Sequence, residues 1–209
     1  MRKLIKAKFI FCILLSLLNN STVYAENLNV VYAGFSFSGN YIDKDIGIKY
    51  TDNIIKNSSE PFNSISKSLL NEIKLTNPKY FNLNFDYADL DKGNSEAIVM
   101  AVTLDNEYYF REYEPLTKTY INNIQMFFQI MFYNFNTKTL IASIPYDVTM
   151  PFLTKEKISD EQITSEIEKF YTVVLKSADD GSNINAFTQV RKILNDYHLK
   201  DKYKFRIGV

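Results

Sequence analysis

IQMFFQIMFYNF, residues 124–135, is the most apolar stretch of the chain outside its first 25 residues. Ile124, Met126, Phe128, Ile130 and Phe132 fall on alternate positions, the two-residue period of a strand buried on one face. Gln125 and Gln129 interrupt the other row, and a helix needs about 20 apolar residues to cross a bilayer. A membrane helix is therefore excluded here. Phe127, Met131 and Tyr133 make the second row less polar than a solvent face. A covering helix or a bound apolar ligand would account for that row, and the helix is the expectation.

Working outward, the same period recurs on both sides. "EAIVMAVTLDNEYYFREYEP" places Ile98, Met100, Val102 and Leu104 on one face, and "TLIASIPYDV" does so with Leu140, Ala142, Ile144, Tyr146 and Val148. "NFNTKT" joins the last two runs as a short hairpin turn. Upstream, "KYFNLNFDYADL" alternates Phe81, Leu83, Phe85 and Tyr87 with polar partners. "NLNVVYAGFSF", rich in β-branched and aromatic residues, predicts a first strand ending in a bend at Gly34 and Gly39. The polar stretch after it reads as a loop with a short strand around residues 46–50.

Helices flank this block. Ser59 and Pro61 are start signals for a helix whose buried face is Phe62, Ile65, Leu69 and Ile73, stopped by Asn77-Pro78. "SDEQITSEIEKFYTVVLKSA" opens with a capping box, Ser159 with Gln162. It turns Ile163, Ile167, Phe170, Val174 and Ala178 to one side. "NINAFTQVRKILNDYH" follows with Phe187, Val190, Leu194 and Tyr197, and "KYKFRIGV" predicts a final strand or a loose tail. The fold class is α+β: a largely antiparallel, or mixed, sheet of about five strands with about three helices packed on it.

The first 25 residues stand apart. Arg2, Lys3, Lys6 and Lys8 precede the apolar run "FIFCILLSLL", and Val23-x-Ala25 closes the segment. That is the layout of a signal peptide cleaved between Ala25 and Glu26, with 26–209 as a single domain. Cys12, the one cysteine, leaves with the leader, so neither disulfide nor thiolate chemistry is expected. The remaining 184 residues carry 20 basic and 24 acidic side chains, a formal charge of −4. No basic patch invites nucleic acid, and the destination is the periplasm or the exterior.

Little of the composition supports catalysis. His198 is the one histidine; at a helix end its bland role is to complement the dipole. No histidine pair offers a zinc site and no nucleophile elbow occurs. "GFSFSGN" lacks the Lys-Ser/Thr of a phosphate loop. No catalytic residue, metal or cofactor is expected. Carboxylate pairs remain as generic acid–base candidates: Asp86, Asp89 and Asp91, or Glu112 and Glu114. Tyr109, Arg111 and Tyr113 form a stripe along one strand face, opposite Tyr108 and Phe110, with the composition of a protein-contact surface.

The order of elements resembles the periplasmic α/β domain shared by the Tol–Pal translocation protein's N-terminal region, curli-secretion lipoproteins and lipoproteins that activate penicillin-binding proteins. The comparable pieces are "VVYAGFSFSG", "SISKSLLNEIK", "FNLNFDYADL", "SEAIVMAVTLDNEYYF" and "QIMFYNFNTKTLIASI", within about residues 28–178. The chain departs from that pattern in lacking a lipid-bearing cysteine, and Ala97 is preceded by Glu96 rather than followed by an acid. The resemblance implies an envelope protein that works by binding proteins. A non-catalytic adaptor or assembly module is the first expectation. A carrier of a small apolar or lipid ligand is the alternative, with Phe127, Met131 and Tyr133 facing the ligand. A carboxylate-based hydrolase of envelope glycan is the second alternative.

Overall fold

The computed structural model describes residues 28–38, 47–57, 63–87, 97–173, 175–176 and 183–199. The expected leader with its Ala25–Glu26 junction, Gly39, Ser59, Pro61, Phe62, Asp89, Asp91, Val174, Ala178 and the C-terminal "KYKFRIGV" lie outside the described residues. Strand β1 (Leu28–Phe37) is followed by helices α1 (Lys49–Asn57) and α2 (Asn63–Lys74), then by β2 (Phe81–Asn84). A meander of three long strands comes next: β3 (Ile98–Glu114), β4 (Thr119–Asn134) and β5 (Thr139–Thr154). The chain continues through α3 (Asp160–Thr172), the short pair β6 (Leu175–Lys176) and β7 (Asn183–Ile184), and α4 (Thr188–Asp196). The sheet order is β2-β1-β3-β4-β5. β1 runs parallel to both neighbours while β3, β4 and β5 are antiparallel. The α+β class holds, with a mixed sheet.

β4 carries the buried row foreseen for it: Ile124, Met126, Phe128, Ile130 and Phe132 are all essentially inaccessible. Phe128 stacks on Tyr146 and meets Tyr171 and Phe187 edge-on. All four helices contribute to this core, through Ile54, then Ile65, Leu69 and Ile73, then Ile163, Ile167, Phe170 and Tyr171, then Val190 and Leu194. The helices lie on one face of the sheet. This corrects the expectation of a helix over the second face: Phe127, Met131 and Tyr133 stay half-exposed and take no part in that core.

Three bulges explain where simple alternation misreads the strands. An extra residue, Ala33, in β1 lets Phe35 rejoin the core row, and Gly34 beside it sits at φ +106°, a conformation that favours glycine. An extra residue, Ile141, in β5 turns Leu140 toward Tyr133 on the open side and buries Ile141 instead. The third is at Asp105 of β3, between the Leu104–Phe128 and Asn106–Phe127 pairs.

Other boundaries differ from the sequence reading. Residues 49–57 form a helix, buried through Thr51 and Ile54, where a loop and short strand were expected. β2 spans only four residues and Phe85 and Tyr87 are exposed, because β1 offers no partner beyond Val31↔Asn84. α3 keeps its Ser159–Gln162 capping box but stops at Thr172, and residues 175–176 are extended. The two hairpins close alike, on Thr117-Lys118-Thr119 and Thr137-Lys138-Thr139. Each lysine is left-handed and the threonine hydroxyls on either side are hydrogen-bonded.

Candidate functional site

β1 ends at Phe37, opposite Leu104. Beyond that point β3 pairs with β4 alone, so residues 106–114, 119–127 and 147–154 leave the five-stranded sheet as a three-stranded arm. The Asp105 bulge sits at the base of the arm. It inverts the parity of β3, so Glu107, Tyr109 and Arg111 continue the helix-side row begun by Leu104, while Tyr108, Phe110 and Glu112 turn to the open side.

Glu107 is therefore a carboxylate on the core face, 3% exposed. It accepts hydrogen bonds from the backbone N–H groups of Tyr50 and Thr51 and, at 2.6 Å, from the Thr51 hydroxyl. These are first-turn amides of α1, left without intrahelical partners. Glu107 thus caps a helix from a distant strand, with the dipole favouring its charge. The Thr51 hydroxyl also meets the Tyr171 hydroxyl of α3 at 2.9 Å. Burial pushes the Glu107 carboxyl up to about 7, against the lowering effect of its hydrogen bonds with Thr51 and Tyr50. Burial also holds the Tyr171 and Tyr146 hydroxyls well above the ordinary tyrosine range.

The arm itself is aromatic on both faces. On the open side Tyr108 and Phe110 are half-exposed, Tyr108 meets Phe127 edge-on at 5.7 Å, and Asn106 Nδ2 donates to the Tyr108 hydroxyl. On the helix side the Tyr109 hydroxyl donates to Asn122 Oδ1 at 2.6 Å, and Asn122 donates in turn to Thr154 Oγ1. Arg111 lies over the Tyr120 ring, which pairs with Tyr113 at 5.0 Å. The predicted Tyr109–Arg111–Tyr113 stripe is thus one continuous row, but Tyr109 is spent on holding the arm together. Tyr113 remains accessible, as do Leu116 at the turn and Leu153 on β5. Of the predicted ligand-facing residues, Met131 and Tyr133 lie together further along β4, the Tyr133 hydroxyl against Met131 Sδ.

Two open grooves lie near these elements. A polar one of about 590 Å³ runs between α1 and α3, lined by Asn53, Asn57, Asp160, Glu161, Thr164 and Glu168 among others. Asp160 there pairs with Lys49, and the Ser159 hydroxyl holds the Glu161 carboxyl below its usual range. A hollow of about 270 Å³ lies beside Phe127, between Asp105, Gln129, Pro145 and Asp147. The carboxylates proposed for acid–base work are dispersed: Glu112 and Glu114 follow one another along β3, Glu114 accepts from the Leu116 amide in the turn, and Asp86 follows β2. His198 stacks on Tyr80. Sequence reasoning missed Glu107 and Thr51. The signal was "DNE" in mid-strand, where strict alternation would have set Asn106 on the core row after Leu104.

No family model and no curated protein matches the chain. It is similar in structure to a Helicobacter pylori protein solved as a homolog of a neuraminyllactose-binding hemagglutinin. The TM-score there is 0.44 and the identity 13%, over 88% of this chain and 91% of that one. It is more distantly similar to lipoprotein GNA1162 from Neisseria meningitidis, with a TM-score of 0.26 and 8% identity, over 67% of this chain and 94% of that one. Neither likeness is strong enough to carry a functional conclusion. Among the described residues no helix is long and apolar enough to cross a membrane.

Proposed function

We propose that the protein is a non-catalytic binding or adaptor module of the cell envelope, delivered by its leader, and that the arm is its protein-binding element. One observation carries the reading: Tyr108, Phe110 and Leu153 on the open side of the arm, Tyr113 on its helix side and Leu116 at its turn are all exposed. Accessible apolar side chains gathered along one strand segment cost solubility and mark contact surfaces, and aromatic residues with arginine dominate the energy of such contacts. Arg111 lies over Tyr120 on the same row as Tyr113. The resemblance in element order to envelope binding domains supports the same reading. The hollow beside Phe127 falls below the roughly 300 Å³ at which small-molecule sites begin, so the carrier alternative gains nothing from it.

Site-specific photo-crosslinking in the native host tests the proposal. A crosslinker at Tyr108, Phe110 or Tyr113 is expected to trap a discrete envelope protein, and one at Lys192 on α4 is not. Loss of the adduct on Phe110→Ala with Tyr113→Ala supports the assignment. A folded protein that yields no adduct at any arm position overturns it.

A further inference from the structure

We propose that Glu107 is a pH-responsive latch that ties the first turn of α1 to the base of the arm, and that α1 docking weakens as this carboxyl ionises. Glu107 gathers donors from one element: the Tyr50 and Thr51 amides and the Thr51 hydroxyl all belong to α1. Just before α1, Gly47 lies so close to Asn106 that a Cβ there would sit 3.2 Å from Asn106 Oδ1. The approach to α1 and its first turn therefore both rest on the bulged segment 105–107.

Two protonation states fit this site unequally. When neutral, Glu107 can donate from Oε2 to Thr51 Oγ1, Thr51 can donate to the Tyr171 hydroxyl, and Oε1 still accepts the amides. When ionised, the carboxylate accepts every bond, but a full charge then lies in a nearly inaccessible site. Among the described residues the groups facing it are Asp52 and Tyr50 on α1, Tyr171 on α3 with Tyr146 of β5 behind it, and Tyr109 on β3. The nearby cations are engaged: Lys56 pairs with Asp52, and Lys49 with Asp160. The α1 dipole offsets the charge only in part.

The sign follows from linkage. The folded value of about 7 lies above the ordinary 4.5, so the docked state holds the proton more tightly. Docking is strongest below pH about 4.5 and is lost progressively as pH rises through about 7, by up to about a few hundredfold in the local equilibrium.

Two measurements on the full chain test this. With ¹³C-labelled glutamate, the Glu107 carboxyl resonance is expected to titrate with a midpoint above 6, and a midpoint near 4.5 overturns the latch. In parallel, amide exchange in residues 51–57, corrected for intrinsic rates, is expected to lose protection by tens to a hundredfold between pH 5 and pH 8. Glu107→Gln keeps an acceptor for the amides and a donor for Thr51, and should flatten that profile. Protection that is independent of pH in the wild type, or an unchanged profile in Glu107→Gln, overturns the proposal. If the variant does not fold, the two wild-type measurements decide it alone.

Discussion

The two halves of β3 obey the same alternation and end in opposite circumstances. From Ile98 to Leu104 the strand lies between β1 and β4, and Ile98, Met100, Val102 and Leu104 are sealed under the helices. From Asn106 to Glu114 it keeps one neighbour, and Tyr108, Phe110 and Tyr113 meet solvent. A side chain in the first half is there because burying it holds the fold together. An exposed aromatic ring in the second half, unlike Tyr109, which packs against the core and bonds Asn122, contributes little to folding, so its presence asks for another explanation, and binding supplies one. The Asp105 bulge separates the two regimes, and Glu107 pins the boundary.

The largest effect that would break this contrast lies at Phe128, paired with Leu104 at the last residue of the sealed half. Phe128→Ala empties the space between Tyr146, Tyr171 and Phe187 and is expected to cost about 3–5 kcal/mol in urea unfolding. A cost comparable to that of an arm residue would mean the core had been misplaced. Next comes the boundary. Thr51→Val removes the hydroxyl between Glu107 and Tyr171 and should cost about 1–3 kcal/mol, since a buried acceptor loses its partner. The loss should be greater at pH 8 than at pH 5, because the ionised carboxylate depends most on that donor. The same substitution should raise the Glu107 titration further, Thr51 being the group that lowers it. Smaller again is Gly34→Ala at the bulge of β1. An added Cβ would meet nothing within 4 Å, so the cost is that of backbone strain alone, about 1–2 kcal/mol by thermal unfolding. A cost near zero would show that β1 bends without needing the left-handed residue.

How far the sequence carried this picture depends on what each element owes to distant partners. The meander was legible because period-two patterning over about 50 residues is a local signal, and the Ser159 capping box is local as well. α1 was not legible: its first turn is completed by a carboxylate from a strand far along the chain, and "KYTDNIIKN" has few apolar residues to announce a helix. β2 was overread because its alternation continues past the point where β1 gives it a partner. The parallel pairing of β1 with β3 depends on a crossover that no single window of sequence displays. The site divided in the same way. The Tyr109–Arg111–Tyr113 row could be read directly, but Tyr109 is occupied with Asn122, whereas Glu107 emerged only through the parity inversion at Asp105.

The smallest expected effect on folding sharpens the contrast most. Phe110 lies opposite Asn123 on the open side of the arm, and truncating an exposed strand residue shifts stability by no more than about 0.5 kcal/mol. Phe110→Ala should therefore match the wild type in its urea midpoint and m-value. If the arm is a contact surface, the same substitution removes a ring that becomes desolvated in the complex, and the affinity for the crosslinked partner should fall tenfold or more. The decisive quantity is the difference between the two numbers. Phe128→Ala would lower stability and lower binding only in proportion to the unfolded fraction, while Phe110→Ala would lower binding with the fold intact. A Phe110→Ala variant that binds as well as the wild type would return the exposed aromatics of the arm to ordinary strand composition.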